Sequence, residues 1–154
     1  MGTNYYWKPS DEALNIKGGT LRAAQLEPIH IGKHSGGWEF CFQAIEVQPA
    51  KHYVDVGSLE MTVEVGFELS IRSWAEWKAV LQRGGEIVDE YGEYFNLEAF
   101  IEIVEKFTAP GAKRSDGTPL TNQIDYLKRK GIPVNPEQDW LDEQGYSFTI
   151  SRFS

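Results

Sequence analysis

The segment His30–Trp38, read as HIGKHSGGW, contains the residue types in this chain best suited to holding a small ligand. Three glycines within six residues allow the backbone to approach a ligand closely and to direct N–H groups toward it. The lysine and one or both histidines would supply positive charge, and the tryptophan offers a flat face on which a base could stack. An anionic, aromatic molecule such as a nucleotide matches this combination. The candidate ligand-binding residues are His30, Lys33, His34, Ser35, Gly36, Gly37 and Trp38.

The same segment also fits a purely structural interpretation. A tight turn between two strands would use the glycines for its backbone, with Lys33 and His34 in solvent and Trp38 in the core. The glycine spacing matches neither a Walker A loop nor a dinucleotide-binding fingerprint. From the residues alone, ligand binding and a structural turn both remain open.

Two further residues could complete such a site from the ends of the chain. The N-terminal GTNYYW predicts a first strand, with Tyr5 and Trp7 on one face and Asn4 and Tyr6 on the other. Tyr6 could line the same pocket as the tryptophan, or the aromatic residues could belong to the core and an edge strand. Arg152 is a candidate second cation, provided that the last strand lies beside the first.

A metal site is a weaker interpretation of the same histidines. His30 and His34 are four residues apart, but a turn would not place them on one helical face. Cys41 and His52 could join them only if the fold brought them close. The single cysteine excludes a disulfide within the chain, and its apolar neighbours predict a buried thiol. We therefore predict neither a metal site nor a cofactor.

Catalysis requires a nucleophile with a base, or paired carboxylates, in one cleft. His34 and Ser35 are adjacent, whereas a nucleophile and its base normally meet across the fold. Asp89, Glu90 and Glu93 are typical of a solvated acidic turn. We assign no catalytic residues and favour binding over an enzyme. A phosphodiesterase that uses His30 and His34 as acid and base stays an alternative.

Composition restricts the classes of partner. The 154 residues predict a single domain over 1–154, and 41% hydrophobic residues are enough for a core. A net charge of −8 argues against general nucleic-acid binding, although it allows a local basic pocket. No stretch approaches the roughly 18 apolar residues that span a bilayer, and the N-terminus does not resemble a signal peptide. We therefore expect no membrane association and a location in the cytoplasm.

The strands that must position these residues follow from alternation of apolar side chains. Residues 8–28 lack clear periodicity and predict a long loop with a short strand around Leu21–Leu26. In the last strand, Tyr146, Phe148 and Ile150 should share one face. The predicted strands are Trp38–Val47, one or two strands within Tyr53–Ile71, a hairpin over Glu86–Tyr94 that turns near Glu90–Gly92, and Tyr146–Arg152.

Three helices are predicted from caps and apolar stripes. Ser73 begins the first and forms a capping box with Glu76, Asn96 begins the second, and the third runs from Asn122 to Lys130. The stripes are Trp74, Trp77, Val80 and Leu81 in the first helix, and Leu97, Phe100, Ile101, Val104 and Phe107 in the second. Strands and helices do not alternate regularly. The predicted fold is therefore α+β, an antiparallel sheet with two or three helices packed on one face.

Five blocks of the sequence resemble a family of small, largely uncharacterised phage and prophage proteins. The blocks are MGTNYY, HIGKHSGGWEF, SWAEWK, GGEIVDEYG and GYSFTISRFS, which together span most of the chain. HIGKHSGGW is the most specific of them. Relatives often have a CxxC-type pair between the first two blocks, but residues 8–28 contain no cysteine here. Any zinc knuckle that the relatives build is therefore missing.

The resemblance implies a role in the cytoplasm of an infected host cell. Phages encode small acidic proteins that neutralise host defence, and some are sponges, oligomers that bury a signalling nucleotide without cleaving it. This would make the chain a phage-encoded, homo-oligomeric protein that sequesters a small anionic nucleotide-like immune signal. One alternative is an inhibitor of a host protein, which would use the acidic Asp89, Glu90 and Glu93 against a basic partner. Another is a phosphodiesterase that acts on a nucleotide signal.

Overall fold

The secondary structure confirms the α+β class. The computed structural model describes residues 2–18, 20–49, 51–56 and 59–151, and for 51–64 it describes the backbone alone. The strands are β1 (Gly2–Lys8), β2 (Ile29–Ser35), β3 (Cys41–Gln43), β4 (Ile45–Val47), β5 (Lys51–Val56), β6 (Leu59–Glu64), β7 (Leu69–Ile71), β8 (Glu86–Asp89), β9 (Tyr94–Phe95), β10 (Asp139–Leu141) and β11 (Ser147–Thr149). The helices are α1 (Asp11–Leu14), α2 (Trp74–Leu81), α3 (Leu97–Glu102) and α4 (Gln123–Arg129), with a 3₁₀ turn at Ala23–Gln25 and a π-helical turn at Ile103–Phe107.

The main sheet has seven strands in the order β10-β11-β3-β2-β1-β8-β9. The sheet is mixed, because β11 runs parallel to β3 whereas its other described pairings are antiparallel. The long connection between β3 and β11 permits this, since a parallel pair needs a crossover rather than a tight turn. The prediction of a wholly antiparallel sheet is therefore wrong for this pair. β1 lies between β2 and β8, so the N-terminal strand is interior and not an edge strand.

One face of the sheet and two helices enclose an aromatic core. Tyr5 and Trp7 point inward from β1, as alternation predicts, and the Trp7 ring meets Trp77 of α2 edge to face at 6.4 Å. Phe42 of β3 stacks on Trp74 of α2 at 5.2 Å. The Phe100 ring of α3 also packs in this cluster. Burial of such large rings removes a large apolar area from water and so contributes strongly to hydrophobic stabilisation.

The N-terminus of α2 is capped as predicted, with one difference in detail. Ser73 is the N-cap, and its Oγ accepts a hydrogen bond from the Glu76 N–H at 3.2 Å. The Glu76 carboxylate accepts from the Arg72 N–H at 2.9 Å and from the Ser73 hydroxyl, rather than from the Ser73 N–H. The Glu76 carboxylate therefore binds the backbone N–H of the residue before the N-cap, and not that of the N-cap itself. All four residues of the predicted α2 stripe are buried.

The second predicted helix begins at its Asn96 cap but changes geometry halfway. α3 gives way to the π-helical turn Ile103–Phe107, where the Thr108 hydroxyl donates to the Ile103 carbonyl at 2.8 Å. A π turn has more residues than an α turn, so the residues after it rotate around the axis. Val104 stays in the core, whereas Phe107 is 56% exposed. The predicted inward position of Phe107 is therefore wrong.

Several other elements differ from the predicted secondary structure. Residues 21–26 contain the 3₁₀ turn Ala23–Gln25 instead of a strand. The predicted strand Trp38–Val47 divides into β3, which belongs to the main sheet, and β4, which pairs with β7 in a separate two-stranded sheet. At the C-terminus, Ile150 is 47% exposed instead of sharing the buried face of Phe148. The hairpin β8–β9 and the third helix, with Asn122 as its cap, are confirmed.

The opposite face of the sheet is polar and is bordered by α4. Cys41 alternates with the buried Phe42, so its side chain lies on this polar face. α4 contacts β10, and Gln123 at its first turn borders a cleft together with Lys33 and Cys41. None of the described helices is both long and apolar enough to cross a bilayer.

Candidate functional site

A β-bulge in β2 decides which residues of the HIGKHSGGW segment lie together. β1 and β2 pair Tyr5 with Gly32 and Tyr6 with His30, which leaves Ile31 as an extra residue. Ile31 is fully buried, and a Cβ on Gly32 would collide with the Phe40 ring, so both of these residues face the core. His30 and Lys33 consequently share the polar face of the sheet.

The same bulge separates the two histidines of the segment. Alternation after Lys33 places His34 on the core side of β2, whereas His30 lies on the polar side. Both are partly buried, and burial lowers the pKa of each imidazole. His34 therefore does not join Lys33 in one site. The acid and base of the phosphodiesterase alternative are likewise held on opposite faces of the strand.

Three of the predicted ligand-binding residues line one open cleft of about 330 Å³ on the polar face. They are Lys33, Ser35 and Trp38. Lys33 and Cys41 are cross-strand neighbours on the cleft floor, and Asp139 and Thr149 are the corresponding pair on β10 and β11. We call this space the Trp38 cleft. Residue Ser151 also lines it, and Arg152 follows outside the described residues.

The two glycines form the turn that borders the Trp38 cleft. The Trp38 N–H donates to the Ser35 carbonyl at 3.0 Å, which closes a four-residue turn. Gly37 occupies the third position with φ of 81°, a left-handed conformation that favours glycine. A Cβ at Gly36 would meet open space. The turn therefore requires glycine at Gly37 and not at Gly36.

Two arginines from distant segments flank this turn. A Cβ on Gly37 would collide with the Arg114 guanidinium, so that group lies directly against the glycine. Arg129 of α4 donates from Nη2 to the Thr121 hydroxyl at 3.0 Å, and the Thr121 N–H donates to the Gly37 carbonyl at 3.0 Å. We call Arg114 and Arg129 the rim arginines. Sequence reasoning missed both, and the only signal for Arg114 was the basic KR pair in an exposed loop.

Aromatic rings from two elements form a wall beside the turn. Trp38 is connected to Thr121 by a single parallel bridge, and its ring packs on Tyr126 of α4 at 5.3 Å with a 54° tilt. Both rings are partly exposed. Tyr6 does not belong to this wall: it packs on His30 at 5.2 Å and borders a second, larger cleft. The predicted set of aromatic and histidine residues is therefore divided between two clefts.

The interior of the Trp38 cleft is acidic. Glu39 is 6% exposed, and its carboxylate accepts from the Gly111 N–H at 3.1 Å and from the Asn122 amide at 3.4 Å. Burial raises the pKa of Glu39 above its usual value. Asp139 is the second carboxylate, and among the described residues no hydrogen bond or ion pair involves its side chain. The cleft is therefore lined by two carboxylates together with Lys33, and the two rim arginines lie outside this lining, beside the Ser35–Trp38 turn.

The larger cleft, of about 830 Å³, contains a hydrogen-bonded chain that includes His30. Nε2 of His30 lies 2.9 Å from Asn4 Oδ1, and Nδ1 lies 3.4 Å from Gln43 Oε1. The Asn4 amide donates to Glu90 and the Gln43 amide donates to the Thr149 carbonyl. His30 is therefore part of a network that joins several strands.

The acidic hairpin turn is shaped by its own carboxylates. Asp89 is 7% exposed, and its Oδ1 accepts from the N–H groups of Tyr91 and Glu93, each at 2.9 Å. The Glu90 carboxylate accepts from the Asn4 N–H at 2.8 Å. Two of the three acidic residues expected to face a protein partner are thus engaged within the fold. Tyr91 at the tip is 71% exposed.

Metal-binding residues do not come together in the part of the chain that the structure describes. Within residues 2–18, 20–49, 51–56 and 59–151, no three His, Cys, Asp or Glu side chains cluster. The side chain of His52 lies outside the described set. Cys41 receives a weak hydrogen bond from the Ser147 hydroxyl at 3.9 Å, and burial raises the pKa of the Cys41 thiol to about 11.

Comparison with family models, characterised proteins and solved structures found no match to this chain.

Proposed function

We propose that the protein binds a small anionic, aromatic molecule of the nucleotide type in the Trp38 cleft. The observation that carries this proposal is the contact between the Arg114 guanidinium and Gly37, which puts a cation beside the turn that borders the cleft. Arg129 adds a second cation from α4. Guanidinium groups form charge-assisted, often bidentate hydrogen bonds with phosphate. A phosphate held at the rim would avoid the carboxylates inside.

The remaining parts of a nucleotide find complementary groups in the same cleft. A base could stack on the partly exposed face of Trp38, next to Tyr126. Lys33 and Ser35 line the cleft and could contact polar atoms of the ligand. The described residues that line the cleft include no histidine. We propose that the cleft binds its ligand without cleaving it, as a sponge does.

The biological role that we propose follows from the family resemblance. A phage protein with such a cleft would withhold a nucleotide-type immune signal in the cytoplasm of the host cell, as a counter-defence sponge. Assembly into a homo-oligomer would let two copies enclose one ligand, since the Trp38 cleft is open to solvent in a single chain.

A second candidate function, inhibition of a host protein, is favoured by the hairpin β8–β9. Tyr91 is 71% exposed at its tip, and exposed tyrosines are common anchors in protein interfaces. Glu93 beside it is also exposed and could face a basic partner. Recovery of one stoichiometric partner from host lysate, lost in Tyr91→Ala, would support this function.

Thermal unfolding against a panel of nucleoside monophosphates, cyclic mononucleotides, cyclic dinucleotides and ADP-ribose tests the main proposal. A ligand at one hundred times its dissociation constant stabilises the native state by about 2.7 kcal/mol, a shift of several degrees. Arg114→Gln should lower the affinity for the nucleotide by about tenfold or more, which reduces the thermal shift. Arg83→Gln, at the end of α2, removes the same charge elsewhere and should change nothing. The absence of any shift across the panel would contradict the proposal.

Recovery of the bound nucleotide after denaturation separates a sponge from a hydrolase. Chromatography should return the ligand intact after prolonged incubation with the protein. A cleaved product would instead support the phosphodiesterase alternative.

A further inference from the structure

We infer that the Trp38 cleft selects ribonucleotides over 2′-deoxyribonucleotides, with the Asp139 carboxylate accepting hydrogen bonds from the ribose hydroxyls. This inference rests on the proposed function and specifies its ligand class. Asp139 lies on β10 opposite Thr149, and both line the same cleft as Trp38. The carboxylate is thus on the floor of the space in which we place the sugar.

The Asp139 side chain is an acceptor without a donor. Among the described residues, none forms a hydrogen bond or an ion pair with its carboxylate, although the residue is only partly exposed. A ligand that covers this group removes water from a charge, which is unfavourable unless the ligand supplies donors. Two adjacent hydroxyls supply two donors to two carboxylate oxygens. A 2′-deoxy sugar has lost one of these donors.

Glu39, the other carboxylate of the cleft, is already committed. Its two oxygens accept from the Gly111 N–H and the Asn122 amide, so it holds the 110–122 segment against the start of β3. Burial also raises the pKa of Glu39 above its usual value. The discrimination between sugars is therefore assigned to Asp139 and not to Glu39.

The size and charge of the cleft fix the orientation of the ligand. A volume of about 330 Å³ is near the lower end for small-molecule sites, so it suits one nucleoside unit per chain. The phosphate belongs at the rim arginines, because Asp139 would repel it from the floor. With the base on Trp38 and the phosphate beside Gly37, the sugar between them faces the floor.

Calorimetric titration with adenosine 5′-monophosphate and 2′-deoxyadenosine 5′-monophosphate tests this inference, together with the guanosine, cytidine and uridine or thymidine pairs. The wild-type protein should bind the ribonucleotide of a pair about ten- to hundredfold more tightly, the range expected for a hydrogen bond to a charged acceptor. Asp139→Asn should reduce this preference toward one while retaining the circular dichroism and unfolding midpoint of the folded protein. Glu137→Gln, two residues away and exposed, is the matched control and should keep the full preference.

The outcomes distinguish this inference from the proposal on which it rests. Binding of both members of a pair with equal affinity would overturn the sugar selection and leave nucleotide binding intact. A preference that survives unchanged in Asp139→Asn would overturn the role of Asp139. No binding of any ribonucleotide or deoxyribonucleotide, here or in the thermal panel, would overturn both the inference and the proposed function.

Discussion

The Nε2 atom of His30 lies 2.9 Å from the Oδ1 atom of Asn4, and this contact links β2 to β1 on the polar face of the sheet. The orientation of the Asn4 amide follows from its other contact, since its Nδ2 group donates to the Glu90 carboxylate. The oxygen therefore faces the imidazole and requires a proton on Nε2. A neutral His30 protonated at Nε2 satisfies this contact.

We predict that His30 makes the protein less stable in mild acid. Burial is the main cause that lowers the pKa of His30. Hydrogen bonds with the Gln43 side chain and the Gly32 backbone oppose it, as does Glu90, whereas Lys33 acts in the same direction as burial. Because the unfolded chain then binds more protons, the stabilising contribution is complete above pH ~6.5 and falls as pH decreases through that value. Urea unfolding of the wild type should show a lower free energy at pH 5.5 than at pH 7.5.

The variant His30→Gln identifies the source of that pH dependence. The drop in stability between pH 7.5 and 5.5 should become smaller, because glutamine does not titrate. His34→Gln should also reduce it, since burial lowers the pKa of His34 as well. The contribution of Glu39 to stability depends on pH in the opposite direction. Its raised pKa favours the folded state at low pH, and this contribution is lost as pH rises through that pKa. An unchanged drop in both histidine variants would contradict this assignment.

We predict that Gly32→Ala destabilises the fold, whereas Gly36→Ala does not. A methyl group on Gly32 would collide with the Cys41 carbonyl and the Phe40 ring, both of which are fixed in the core. Overpacking of this kind typically lowers the free energy of unfolding by about 1–3 kcal/mol. Gly36 faces open space, so its change should stay within about 0.5 kcal/mol. Equal unfolding midpoints in urea would show that the bulge can move to accept the methyl group.

The sequence was sufficient where one local signal determined the structure. Ser73, Asn96 and Asn122 each cap a helix through a hydrogen bond to a residue three positions on, which is a short-range pattern. The hairpin β8–β9 and the buried alternation of Tyr5 and Trp7 follow from equally local features. These elements account for the α+β class and for β1, whose other face contributes to the polar side of the sheet.

The arrangement of the site required information that no local pattern contains. The sequence predicted no strand over Ile29–Ser35, whereas the structure has β2 there, and the extra residue Ile31 in its bulge decides the face on which His34 lies. The π-helical turn rotates Phe107 outward for the same kind of reason. Arg114 reaches Gly37 only through tertiary contacts. A single sequence gives no pairing information at that distance along the chain.

We predict that Lys33→Ala strongly weakens nucleotide binding without unfolding the protein. Lys33 lies at the floor of the Trp38 cleft beside Cys41, on the partly solvated face of the sheet. Loss of a charged contact with polar atoms of the base or sugar should weaken binding by about tenfold or more, while stability changes little for a substitution at a partly exposed site. Titration and thermal unfolding of the same preparation measure the two effects. Lys8→Ala, whose ammonium donates to the Tyr94 hydroxyl of the edge strand β9, serves as the control. Wild-type affinity in Lys33→Ala would remove this residue from the site.

We predict that Cys41 reacts slowly with iodoacetamide although it lines an open cleft. Burial raises the pKa of its thiol to about 11, and the nearby Asp139 carboxylate acts in the same direction. The thiolate is the reactive form, so alkylation at pH 8 should be about ten- to hundredfold slower in the folded protein than in urea. Asp139→Asn should speed the reaction modestly, because it removes a negative charge that disfavours the thiolate. Mass spectrometry over time gives both rates. A folded-state rate equal to that in urea would mean that the thiol is not held in the buried position next to Ser147, and the floor of the Trp38 cleft would then differ from the one described.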